Sequence, residues 1–214
     1  MTRITFILIF LSTFCFDLKS QSSWETVKET DDIIVYTRKS ENSKYKEVKI
    51  TMTISCTMNE LVAALEDVDA HKEWVPYTID SKMIKKDSDS KFYYYVSSDF
   101  PFPAKDRDVA IYYEREQAVD SKVVITRSEA APDILPKSDG FIRVPVFSST
   151  YTLTPKDDGV IHIEYLLKVS PGGKLPAWII NLGVTKGPIK TMESLIKLID
   201  SGKYSKHNVV GVEN

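Results

Sequence analysis

The chain has 214 residues, with 28 Lys and Arg set against 30 Asp and Glu for a net charge of −2. That balance holds no basic excess for nucleic acid or for an anionic membrane, and the length suits one domain with a substantial core. The first element is a targeting signal. Arg3 supplies a positive start, and an apolar run from Ile4 to Phe16 follows, broken by Thr5, Ser12 and Thr13. The run is shorter than the roughly 20 apolar residues of a spanning helix, and Asp17, Lys19 and Ser20 after it complete the layout of a secretory signal. Residues 1–20 are thus expected to direct export, to a periplasm or beyond the cell, with cleavage before Gln21; an uncleaved anchor is the rival. Cleavage also removes Cys15, leaving Cys56 without an intramolecular disulfide partner. In its strand-like setting it reads as buried filler.

One uninterrupted domain is expected over 21–203, ending in a polar, loose tail over 204–214. Ser22 and Glu25 have capping-box spacing, which predicts a short helix over Trp24–Glu29. Ile33–Arg38 and Tyr45–Ser55 read as strands. Thr57 and Glu60 repeat the capping box, and Leu61, Leu65 and Val68 at helical spacing predict a helix over Met58–Val68. His71–Trp74 continues as a helical turn ended by Pro76. From Thr78 to Val169 the reading is almost wholly β, with runs at Phe92–Ser97, Asp108–Arg115, Lys122–Ser128, Phe141–Thr154 and Ile161–Val169 between turn signals. From Pro176 a helical stripe of Trp178, Leu182, Ile189, Met192, Ile196 and Ile199 runs for about seven turns, with a kink expected at Gly187–Pro188. Consecutive strands followed by one long amphipathic helix define an α+β fold in which the helix covers a curved antiparallel sheet.

Several segments resemble one family. Pro101-Phe102-Pro103-Ala104-Lys105-Asp106-Arg107-Asp108 resembles the proline-rich turn and Arg-Asp pair of START domains, the steroidogenic-acute-regulatory-related lipid-transfer family. Gly140-Phe141-Ile142-Arg143-Val144 is similar to its later strand, and Pro171–Asn181 to the entry of its C-terminal helix. Trp24, Ile34–Arg38 and Trp74 follow in the same order. The resemblance implies a helix-grip fold, a curved sheet around the C-terminal helix with an internal apolar cavity. It also implies one bound lipid, sterol or other apolar small molecule, transient membrane contact and a monomer, without nucleic acid or cofactor, and usually without chemistry.

The phosphatidylcholine-transfer type is the nearest in look. By position its ligand-facing residues fall on Val96 and Ser98, Val109 and Ile111, Ile142, Val144 and Val146, and Trp178 and Leu182. Tyr94, which shares strand parity with Val96, joins them with Trp74 and Tyr165. His71 and Val75 stand where that type carries a basic residue and a carboxylate for the headgroup, which argues against phosphatidylcholine itself. His71 is either a weakly basic group facing the ligand or an exposed histidine at a helix end. His162 and Glu164 share one strand face, read as solvated. Arg107 and Asp108 read as anchors of a strand start. Three histidines without ligand spacing and one mature cysteine indicate no metal site. A helix-grip enzyme of the polyketide cyclase or dehydratase type is the alternative, and the mainly Val, Ile and Leu lining argues against it.

Overall fold

Strand formation follows the two-residue alternation of the sequence. In Ile33–Lys39 (β2) and Lys46–Ser55 (β3), Ile33, Val35, Val48, Ile50, Met52 and Ile54 are buried, and most residues between them are half-buried, because successive strand side chains point to opposite faces. The computed structural model describes residues 23–40, 43–175, 180 and 185–214. The other strands are β1 (Glu25–Glu29), β4 (Thr78–Ser88), β5 (Lys91–Ser98), β6 (Arg107–Gln117), β7 (Val124–Ala130), β8 (Ile142–Arg143), β9 (Val146–Pro155) and β10 (Val160–Ser170). They form one sheet in the order β1-β2-β3-β10-β9-β7-β6-β5-β4, with β8 added in parallel to the start of β6 and the remaining pairs antiparallel.

The helices close one face of this sheet. Thr57 accepts a bond from Glu60 N–H at 3.1 Å and so starts α1 (Met58–Glu66). A 3-10 turn at Val68–Ala70 leads into α2 (His71–Trp74). The C-terminal helix α3 (Lys186–Asp200) buries Met192, Leu195 and Ile199 in one core with α1 and the inward residues of β2, β3 and β10. Each such side chain contributes about 1.5–3 kcal/mol on leaving water.

Three expectations are corrected here. Glu25–Glu29 is a strand, because its backbone pairs antiparallel with β2, and that ladder overrides the capping-box signal. The run Phe141–Thr154 is split between β8 and β9 at Val144–Pro145, where proline has no N–H for a ladder. Residues 204–214 are packed rather than loose: Tyr204 is 2% exposed and donates its hydroxyl to Asp67 Oδ2 at 2.8 Å. Asn59 Oδ1 accepts from Val209 N–H at 2.7 Å, and Arg115 donates to the carbonyls of Val210 and Gly211. Gly187 and Pro188 lie in the first turn of α3, and Ile180 ahead of it is helical too; the kink expected there falls next to residues 181–184, which lie outside the described residues. Trp178 and Leu182 lie outside the described residues, as do residues 1–20.

Candidate functional site

Strand register lines the inward side chains into rows across the sheet. One row is Thr37–Val48–Leu167–Ser149–Ser128–Tyr113–Phe92, and the next is Val35–Ile50–Tyr165–Tyr151–Thr126–Arg115. The rows place hydroxyls among aliphatic and aromatic neighbours. Tyr151 and Tyr165 lie 4.4 Å apart between ring centres, and the Ser149 hydroxyl lies near the Tyr165 phenol. Phe92 stacks on Tyr113 at 4.4 Å, while the Ser128 hydroxyl lies near the Tyr94 phenol. Burial pushes the Tyr94 hydroxyl up to about 12 and raises those of Tyr151 and Tyr165 as well. All three phenols are therefore neutral at physiological pH.

His71 is not an exposed helix-end residue. Its ring stands edge-on to Trp74 at 5.5 Å and to Tyr94 at 5.9 Å, and Nε2–H donates to Leu65 O at 3.0 Å. Burial lowers its pKa below 6.5, outweighing the Leu65 bond and the carboxylates of Asp67 and Asp69, so the imidazole is neutral. Trp74 packs on the main core with its Nε1 out of solvent, and among the described residues that N–H has no partner. Thr37 Oγ1, also on the inward face, is buried and unpartnered in the same sense.

The structure brings most of the expected ligand-facing residues together. Tyr94, Val109, Ile111 and Val144 are buried in one cluster with Val96 against it, and Tyr165 belongs to the main core. Ser98 ends β5, half-buried opposite Thr78 and Arg107. Ile142 packs on the loop after β10: a Cβ at Gly173 would sit 3.1 Å from its Cδ1, and both Gly172 and Gly173 have φ near +70°, a conformation natural to glycine. Val146 does not belong to the set. It is 42% exposed, and the inward residues of β9 are Phe147, Ser149 and Tyr151. The break at Pro145 shifts the alternation by one residue, so parity carried forward from Ile142 and Val144 selects the wrong face. The same shift hid Tyr151 and Ser149. Ser128 and Thr126 were legible as one face of β7 but carried no distinguishing motif.

Charge is confined to the margins of this interior. Arg115 donates to Glu66 Oε1 at 2.7 Å, and Tyr113 donates to the same oxygen at 3.0 Å. Arg107 is bonded to the carbonyls of Lys105, Pro171 and Gly172, with Phe100 4.2 Å beneath its guanidinium. Asp108 takes a two-pronged bond from Arg143 at 3.0 and 2.9 Å, with 1% and 6% of the respective side chains exposed. Arg143 also donates to the carbonyls of Pro132, Leu135 and Pro136, so Arg107 and Asp108 do anchor the start of β6. His162 and Glu164 lie on the outer face of β10. Cys56 is half-buried with its thiol pushed up to about 12, chiefly by burial, which disfavours the nucleophilic thiolate. Among the described residues no group of three His, Cys, Asp or Glu side chains is placed to hold a metal ion. No described helix is long and apolar enough to cross a membrane.

A curved antiparallel sheet, gripped by a C-terminal helix over an inward face of aliphatic and aromatic side chains, defines a helix-grip ligand-binding domain. The START domain family model matches residues 18–200, and the chain belongs to that family. Its ligand class is accordingly a lipid or another apolar small molecule. A STAR-related lipid transfer protein fragment from Xanthomonas axonopodis superposes with a TM-score of 0.77 at 30% identity, over 83% of this chain and 98% of that one. An uncharacterized protein of Pseudomonas aeruginosa is 31% identical over 172 residues, 80% of this chain and 84% of its own. The phosphatidylcholine transfer protein of Mus musculus is 25% identical over 181 residues, 82% of this chain and 83% of its own.

Proposed function

We propose that this chain is an exported carrier or sensor that encloses one lipid or similar apolar molecule, as a monomer and without chemistry on its ligand. The carrying observation is the inward face of β5, β6, β7, β9 and β10. Its parity presents aliphatic, aromatic and neutral hydroxyl side chains over five neighbouring strands, with α3 packed on the adjoining β3. Moving ligand surface from water onto such a face contributes roughly 25 cal/mol per Å². Likeness to named lipid transfer proteins supports transfer as the purpose, and the leader-like residues 1–20 support export.

Exchange requires a meeting with a membrane. Asp99 N–H donates to Tyr77 O at 2.8 Å and Lys190 Nζ donates to Tyr77 Oη at 3.1 Å, which gathers loop 99–106, Tyr77 and the start of α3 at one end. There Phe102 is 97% exposed and Tyr77 50%, a pair of aromatic rings suited to a bilayer surface. A cyclase-type activity would need an acid or base set in a polar interior, and the inward face of these strands is mainly aliphatic and aromatic. The test is transfer of a fluorescent lipid between donor and acceptor vesicles by residues 21–214. The reading expects a transfer rate proportional to protein concentration. A rate equal to that of vesicles alone would overturn it.

A further inference from the structure

We propose that the interior selects a molecule whose polar end is an uncharged hydrogen-bond acceptor, a hydroxyl or a carbonyl, and rejects charged headgroups. This rests on the lipid-binding reading above and narrows it to neutral lipids. Three observations carry it.

The first is the state of the charges. On the inward parity of β5, β6, β7, β9 and β10 the charged side chains are Arg107 and Arg115, one at each end of β6. Both are occupied, Arg115 by Glu66 and the carbonyls of Val210 and Gly211, Arg107 by three carbonyls. A phosphate entering here would have to strip one of these cations from its partners. A quaternary amine would find Glu66 and Asp108 already bonded to Arg115 and Arg143, which leaves it only the faces of aromatic rings. A buried charge without a partner is strongly unfavourable.

The second is a polar atom left over. Trp74 Nε1–H is out of solvent and without a partner among the described residues, and an indole N–H can only donate. What it lacks is an acceptor. Among the described residues the other buried side-chain polar atoms of this kind are Ser40 Oγ, just past β2, and Thr37 Oγ1, which is on the inward face at the far side of the sheet beyond β9, β10 and β3. Buried polar groups are normally paired, so the unpartnered Trp74 N–H beside His71 marks where a ligand's polar atom belongs.

The third is the neutrality of the surroundings. Tyr94 and Ser128, and Tyr165 and Ser149, put neutral hydroxyls near one another, and His71 beside Trp74 spends Nε2–H on Leu65, which leaves Nδ1 an acceptor. Groups of this type solvate a hydroxyl or carbonyl well and an ion poorly.

The experiment uses residues 21–214 incubated with phosphatidylcholine vesicles doped with phosphatidylglycerol, a sterol and a diacylglycerol. The protein is re-isolated and its lipid extracted and quantified. Neutral lipids should be enriched at least about tenfold over both phospholipids relative to the vesicle composition. Trp74→Phe keeps an aromatic ring but loses the donor, and should reduce that enrichment roughly three- to tenfold. Phospholipid retained in proportion to its abundance would overturn the proposal, as would undiminished enrichment in a folded Trp74→Phe protein. Selection by the unaltered protein is decisive whether or not the variant folds. Retention of no lipid of any kind would instead overturn the lipid-binding reading itself, and this proposal with it.

Discussion

His71 shows how much one side chain's surroundings decide. At a helix end next to Lys72 and Glu73 it reads from sequence as equally suited to solvent or interior, and the structure tucks it under Tyr94 and Trp74. Its pKa is lowered by burial from 6.5. The unfolded chain therefore takes up a proton more readily than the folded one. Stability from the neutral imidazole is fully present above pH 6.5 and is lost as pH falls from there through the folded value. His71→Gln keeps a donor for Leu65 and does not titrate. The variant should show a shallower loss of unfolding free energy below pH 6.5 than the parent protein, measured by denaturant titration across that range. Glu66 works in the opposite direction, its carboxyl raised by burial, but it is present in both proteins and cancels. Identical slopes would show that His71 is not held neutral in the fold.

Among elements, those with strong internal patterning were legible and those defined by a partner were not. α1 announces itself by Thr57, Glu60 and the stripe of Leu61 and Leu65. β1 carries no buried side chain at all, and only pairing with β2 makes it a strand. The tail is polar in composition, yet Arg115 and Asn59 need acceptors and donors that lie inside the fold, and residues 209–214 supply them. In the proposed carrier function, the C-terminal helix is the element whose opening would release the ligand. Gly187 sits in its first turn, with open space where a Cβ would be. Gly187→Ala should therefore fit and firm the helix start by up to about 1 kcal/mol. The prediction is slower ligand exchange at unchanged equilibrium loading, read by stopped-flow release of a fluorescent lipid. Unchanged release kinetics would remove this helix start from the gating motion.

At the scale of the whole molecule, the α+β class and the order of strands then helix followed from alternation, turn residues and the final amphipathic stripe. The inward face was legible where strands run unbroken, as at Val109 and Ile111 or Tyr94 and Val96. It was lost beyond Pro145, where one residue of shift exchanged Val146 for Phe147 and concealed the hydroxyl row. That row changes the character of the interior from plainly aliphatic to apolar with neutral hydrogen-bonding groups. Sequence alone had argued against chemistry from an aliphatic lining; the structure argues for ligand selection from a neutral one.

The central claim is that one lipid-like molecule is held inside this fold, and native mass spectrometry of the gently purified, exported protein tests it most directly, with solvent extraction of whatever is bound. The account predicts a single adduct in one-to-one ratio, released by solvent as a neutral lipid. A clean mass of the bare chain, with no uptake from a mixed panel of neutral lipids and phospholipids, would contradict it.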